Sequence, residues 1–129
     1  MTVMHVPVQP STPDHVRLTA HQWAEDRIIP PEIGDAFAWL AAEAAVFAAM
    51  HAPENLVVDL RWADADHAEI EVRWRTGIWS GLKSGEPRMP TLTAAFLSQL
   101  ASDWEVFHTG DVKGVRLLVD VVPADIPVG

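Results

Sequence analysis

Between Pro31 and Ala52 the chain carries nine alanines and a single glycine, and this run constrains the fold more than any other. Alanine has the highest helix propensity, so the run is expected to form a helix of about six turns. Ile33, Phe37, Leu40, Ala44, Phe47 and His51 recur at steps of three or four, which draws one continuous apolar stripe. Trp39, Glu43, Val46 and Met50 fall beside it, so the apolar arc covers well over half the circumference. Such a helix belongs in the middle of a sandwich, packed on most sides. Asp35 and Glu43 interrupt it too often for a membrane span. Its odd residue is Glu43, a carboxylate among alanines.

At 129 residues the chain has the size of one domain able to build a two-layer core. Residues 1–122 are expected to form that domain and 123–129 a tail. There is no cysteine, which excludes disulfides and thiolate metal sites. The first residues lack the basic and apolar regions of a signal peptide, so a cytoplasmic protein is the expectation. A net charge of −9 excludes nucleic-acid backbones as partners, because these need basic patches.

Val3 to Val8 reads as an edge strand, since Pro7 cannot donate to a ladder. Ser11-Thr12-Pro13-Asp14 is a helix start with a hydroxyl cap and proline in the first turn. Val16, Ala20, Trp23, Ala24 and Arg27 continue that helix, and Ile29-Pro30-Pro31 ends it. After the alanine-rich helix, Leu56 to Trp62 and Glu69 to Arg75 alternate as the arms of a hairpin around Ala63–His67. Thr76 to Pro90 reads as a long loop. A helix is expected from Thr91, with Leu92, Ala95, Phe96, Gln99 and Leu100 on one side. Trp104–Thr109 and Val115–Val122 form a last hairpin around Gly110. The order β-α-α-β-β-α-β-β predicts an α+β two-layer sandwich: a mixed, mostly antiparallel sheet of about five strands, with three helices on one face.

Chemical motifs are sparse. Six histidines are scattered, with no metal-binding i,i+4 pair. Asp59, Asp64 and Asp66 lack the calcium-loop pattern and read as solvated hairpin acids. No nucleophile elbow or glycine-rich phosphate loop occurs. Trp23, Trp39, Trp62 and Trp74 fall on inward stripes and read as core, whereas Trp79 in the loop could anchor a partner.

Element order and certain residues together resemble the histidine-kinase-like (GHKL, Bergerat-fold) ATP-binding domains, in the branch of stand-alone bacterial anti-sigma factor serine kinases. Glu43-Ala44-Ala45-Val46-Phe47-Ala48-Ala49-Met50-His51-Ala52 is similar to the family's second-helix run Glu-Leu-Val-Thr-Asn-Ala-Val-Arg-His-Ala, agreeing at Glu43, Ala48, His51 and Ala52. Leu100-Ala101-Ser102-Asp103-Trp104-Glu105-Val106 resembles the family's Leu-Ala-Asp-Arg-Trp-Gly-Val. The resemblance spans about Val6 to Val121.

The departures fall on the nucleotide-binding motifs. Phe47 stands where the family's magnesium-coordinating Asn is expected. Val72-Arg73-Trp74-Arg75-Thr76-Gly77 carries no acid to accept from adenine. Arg88-Met89-Pro90-Thr91-Leu92 replaces a Gly-x-Gly-Leu phosphate segment, and Val115, after Lys113-Gly114, replaces a threonine. The resemblance therefore implies a degenerate pocket at Phe47, Trp74, Arg75, Gly77, Leu92 and Val115, with no metal and no cofactor. Glu43 remains as a residual acid at the pocket rim or paired with an arginine. The implied function is non-catalytic binding of a protein, a sigma factor or an anti-sigma antagonist. The first-helix face is implied in that binding or in homodimerisation. The alternative is an ATP- and magnesium-dependent serine/threonine kinase with Glu43 as base, and a third reading is a ligand-binding or purely structural domain.

Overall fold

The computed structural model describes residues 2–52, 54–75 and 91–121. The expected loop with Gly77 and Trp79, and the tail at 123–129, lie outside the described residues. Five strands, β1 (Thr2–Pro7), β2 (Asn55–Trp62), β3 (His67–Arg75), β4 (Asp103–Thr109) and β5 (Val112–Asp120), form one sheet in the order β1-β2-β3-β5-β4. Three helices, α1 (Thr12–Asp26), α2 (Pro31–Ala49) and α3 (Thr91–Leu100), complete the α+β fold. Among the described residues every pairing is antiparallel, without the parallel pair that a mixed sheet would include. Among the described residues no helix is long and apolar enough to cross a membrane.

The alternation in the strands decides which face the helices cover. Leu56, Val58 and Leu60 from β2, Ala68, Ile70, Val72 and Trp74 from β3, and Val115 and Leu117 from β5 all point into the core. Phe37, Leu40, Ala41, Ala44 and Phe47 of α2 close over them, with α2 set against β2, β3 and β5. Small side chains let α1 come close: the position of a β-carbon on Gly34 lies 3.4 Å from Cβ of Ala24.

Several sequence expectations change in the packed structure. Trp23 is buried and stacks on Phe37 at 5.2 Å, and Trp74 is buried too. Trp39 and Trp62 are not core: Trp39 is 56% exposed and Trp62 lies at the strand end, in contact with Trp23. A central helix has one side on the sheet and its flanks on its neighbours, which leaves a fourth side in water. In α3 the core-facing side is Leu97 with Phe96, which packs partly buried against the core, while Leu92, Ala95, Gln99 and Leu100 from the same side as Phe96 are exposed. Apolar residues surround that short helix, so its contact with α2 selects the buried side. Ser11 makes no side-chain cap bond, its backbone being helical (φ −84°, ψ −4°) rather than extended. Thr12, buried beside it, donates to the carbonyl of Pro7 at 2.6 Å and accepts from the Gln9 amide at 3.0 Å, tying α1 to β1.

The end of α1 holds the one non-glycine residue with positive φ among those described, Ile28 at +58°. The Ile28 amide donates to Glu25 O and the Ile29 amide to Ala24 O, the double bond pattern of a Schellman cap. That position favours glycine, because a β-branched side chain is strained there. Ile28 is also 90% exposed, so truncating it removes almost no packing. Ile28→Gly is therefore expected to stabilise the fold by about 1 kcal/mol, after allowing for glycine's extra unfolded-state entropy. Urea unfolding checks this, and a destabilised variant would show that the side chain is held by contacts.

Candidate functional site

Three of the six residues expected to line a pocket pack together, Phe47 on α2, Trp74 on β3 and Val115 on β5, with His51 just beyond the end of α2 beside them. Phe47 is buried, and its ring meets Trp74 edge-on at 6.1 Å and His51 at 5.0 Å. The His51 imidazole stacks on Trp74 with ring centroids 6.0 Å apart and planes 11° from parallel. Val115, on the neighbouring strand, is also buried. Phe47, Trp74 and Val115 thus belong to one apolar core. The other expected members do not join them: Leu92 is exposed on α3, Arg75 is exposed and paired with Asp111 at 3.4 Å, and Gly77 lies outside the described residues.

Glu43 sits one turn before Phe47 and is half-buried. Its Oε1 accepts from the Thr93 hydroxyl at 3.1 Å, so its described partner is a threonine of α3 and not an arginine. His51 lies exposed just past the end of α2, and partial desolvation of its ring against Phe47 and Trp74, with a smaller contribution from the nearby Lys113 charge, lowers its pKa below the ordinary 6.5. His51 is therefore neutral at pH 7. The cluster offers a carboxylate, a hydroxyl, an imidazole and a lysine at the edge of three packed rings. Among the described residues no group of histidines and carboxylates is arranged to hold a metal ion.

The opposite face of the sheet holds an ionic layer that sequence reading missed. Cross-strand register aligns Asp59 with Glu71, Glu71 with Arg116, and Arg116 with Glu105. Glu71 accepts from Arg73 at 2.7 Å and from Arg116 at 3.0 Å, with Arg61 at 3.4 Å. Asp59 accepts from Arg61 at 2.8 Å, and Arg61 also pairs with Glu69. The guanidinium planes cover the acids, leaving Asp59 5% and Glu71 8% exposed. Asp59 is therefore no solvated hairpin acid. Burial opposes the charge on Glu71, but the Arg116 hydrogen bond together with Arg61 and Arg73 outweighs it and holds the carboxyl below its usual range. Alternating opposite charges in β2 and β3 were the available signal; pairing them required the register.

Asp64, by contrast, does lie in the exposed turn, where it binds His67 at 2.8 Å while Asp120 binds the other ring nitrogen at 2.7 Å. The Asp64 hydrogen bond, partly opposed by desolvation and aided by the charges of Asp64, Asp120 and Asp66, raises the His67 pKa above 6.5. A raised histidine contributes stability that is complete below its unfolded pKa and is lost as pH rises through the folded value. His51 acts oppositely, losing its contribution as pH falls below about 6.5. The difference between wild type and His67→Gln isolates the first effect. That difference in melting temperature is expected to shrink as pH rises above about 6.5, and a constant difference would deny the bridge.

No protein-family model matches this chain, and no curated protein matches it.

Proposed function

We propose that this chain is a non-catalytic, cytoplasmic regulatory protein of the histidine-kinase-like ATPase plan, acting by binding a protein such as a sigma factor or an anti-sigma antagonist. The observation that carries the reading is the buried Phe47 ring, packed against Trp74 and His51. Phenyl carbons supply no metal ligand. Phosphate oxygens brought against these rings would lose hydration without gaining donors, at several kcal/mol per unpaired group. The succession of strand, two helices, hairpin, helix and hairpin agrees with the order on which the resemblance rests.

One observation favours the alternative, an ATP- and magnesium-dependent serine/threonine kinase. Glu43 is half-buried and oriented by Thr93, as a general base needs to be. Thermal unfolding in rising Mg-ATP separates the two. Binding at a hundred times Kd would stabilise the fold by about 2.7 kcal/mol, a shift of several degrees. The melting temperature is expected to stay constant into the millimolar range, and a rise that tracks ATP concentration would remove the non-catalytic reading.

A further inference from the structure

The outer side of α2 carries a line that, among the described residues, is largely exposed, with Glu43 half-buried against Thr93 of α3. At 100° per residue, Glu32, Asp35, Trp39, Glu43, Val46 and Met50 fall within an arc of about 80°. Trp39, Val46 and Met50 on that line are exposed by 56%, 41% and 65%. From Trp39 to Met50 the line runs about 16 Å, three helical turns. Toward the closed end of the α1–α2 pair, a groove of about 270 Å³ opens between the helices, floored by Ala24, Ile29 and Gly34. It has room for a side chain the size of leucine or phenylalanine. At that end stands Ile28, an apolar side chain kept in water and in a backbone conformation that glycine would occupy without strain.

Charge narrows the occupant. The three helices with their caps carry six carboxylates against two arginines, Arg17, which lies over the Trp39 ring at 5.2 Å, and Arg27, which lies over the Trp23 ring at 4.2 Å. The arginines of the sheet face are instead bound among Asp59, Glu69, Glu71 and Glu105. The acidity of the protein is therefore unbalanced on the helical side. A second copy laid parallel on this line would set Glu32 and Asp35 against themselves, and an antiparallel one would still bring two acidic helical faces together, so like charges disfavour both contacts. Anionic membranes and nucleic acids are repelled for the same reason.

We propose that the outer face of the α1–α2 pair docks an amphipathic helix of a protein partner, with lysines or arginines flanking its apolar stripe. Its apolar residues lie on Trp39, Val46 and Met50 and enter the groove, while its basic flanks meet the exposed Glu25, Glu32 and Asp35. A helix fits because three turns of apolar contact with charged margins is the pattern of helix-in-groove recognition. The proposal names the surface and partner chemistry of the protein-binding reading above and rests on it.

The test is a nitrogen-15 NMR titration of the whole chain with a synthetic 18-residue helical peptide, leucines on one face and lysines flanking them. A second peptide carries glutamates in place of the lysines. The expected result is saturable binding of the basic peptide only, with shifts along the outer line of α1 and α2. Trp39→Ala and Met50→Ala, both at exposed positions, are expected to weaken it at least tenfold, and Arg75→Ala to leave it unchanged. No saturable binding, shifts on the sheet face, or binding unaltered in Trp39→Ala would overturn the proposal. Concentration-dependent shifts of the same residues without peptide would assign the face to a second copy and overturn it equally. The Mg-ATP response is read separately. Nucleotide binding with an intact peptide site sinks the non-catalytic reading alone, and a failed peptide site with no ATP response sinks the docking surface alone.

Discussion

Phe47→Ala is expected to lower the unfolding free energy by about 3–4 kcal/mol, the largest loss among the variants considered. The ring is fully buried and touches both Trp74 and His51, so truncation removes its transfer free energy and leaves a cavity lined by two other rings. Helix α2 is held against β3 and β5 from the other side, which limits how far the site can collapse. In urea the midpoint falls while the slope stays constant, because the native fold survives. A second readout follows from the histidine. Its depressed pKa comes chiefly from partial desolvation where the exposed imidazole packs on Phe47 and Trp74, so removing the Phe47 ring lets the His51 value rise toward 6.5. A loss under about 1 kcal/mol with an unmoved His51 titration would place the ring outside the core and remove the main support for a closed pocket.

Gly114→Ala is expected to cost about 2–3 kcal/mol, although it adds only one methyl group. Gly114 lies within β5, opposite Arg73 on β3 and Phe107 on β4. A β-carbon there would stand 2.5 Å from Phe107 Cζ and 2.6 Å from the carbonyl oxygen of Val72. The ring can swing away, but it would leave Gly114 and the Arg116 guanidinium that lies 5.2 Å above it. The Val72 carbonyl is backbone and cannot yield without distorting the ladder. Phe107→Ala in the same chain therefore restores only part of the loss. Thermal melts of the two single variants and the double variant check this, at roughly 3–5 °C per kcal/mol for a domain of this size. Full rescue by Phe107→Ala would mean that the ring alone excludes the methyl group.

What the amino-acid order determined by itself is the set of elements and the sidedness of each strand. Eight alanines with Phe37, Leu40 and Phe47 at helical steps specify α2, and Leu56, Val58 and Leu60 alternating with Val57, Asp59 and Arg61 specify a strand covered on one face. These signals are local, since a helix repeats every 3.6 residues and a strand every two regardless of what lies beyond. The candidate cluster was legible to the same extent: Phe47 and Trp74 could be named, while the Thr93 bond to Glu43 spans fifty residues and leaves no local trace.

Only the tertiary structure decided which side of each helix meets water. Trp39 lies on an apolar arc as convincing as that of Phe37, yet one faces solvent and the other the sheet, because neighbouring helices occupy the flanks of α2. The fate of Asp59 and Glu71 was settled in the same way. Alternation turns both away from the core, but antiparallel register lays Arg61, Arg73 and Arg116 across them and buries them in charge. Burial is a property of pairs distant in sequence, and periodicity carries no term for the partner.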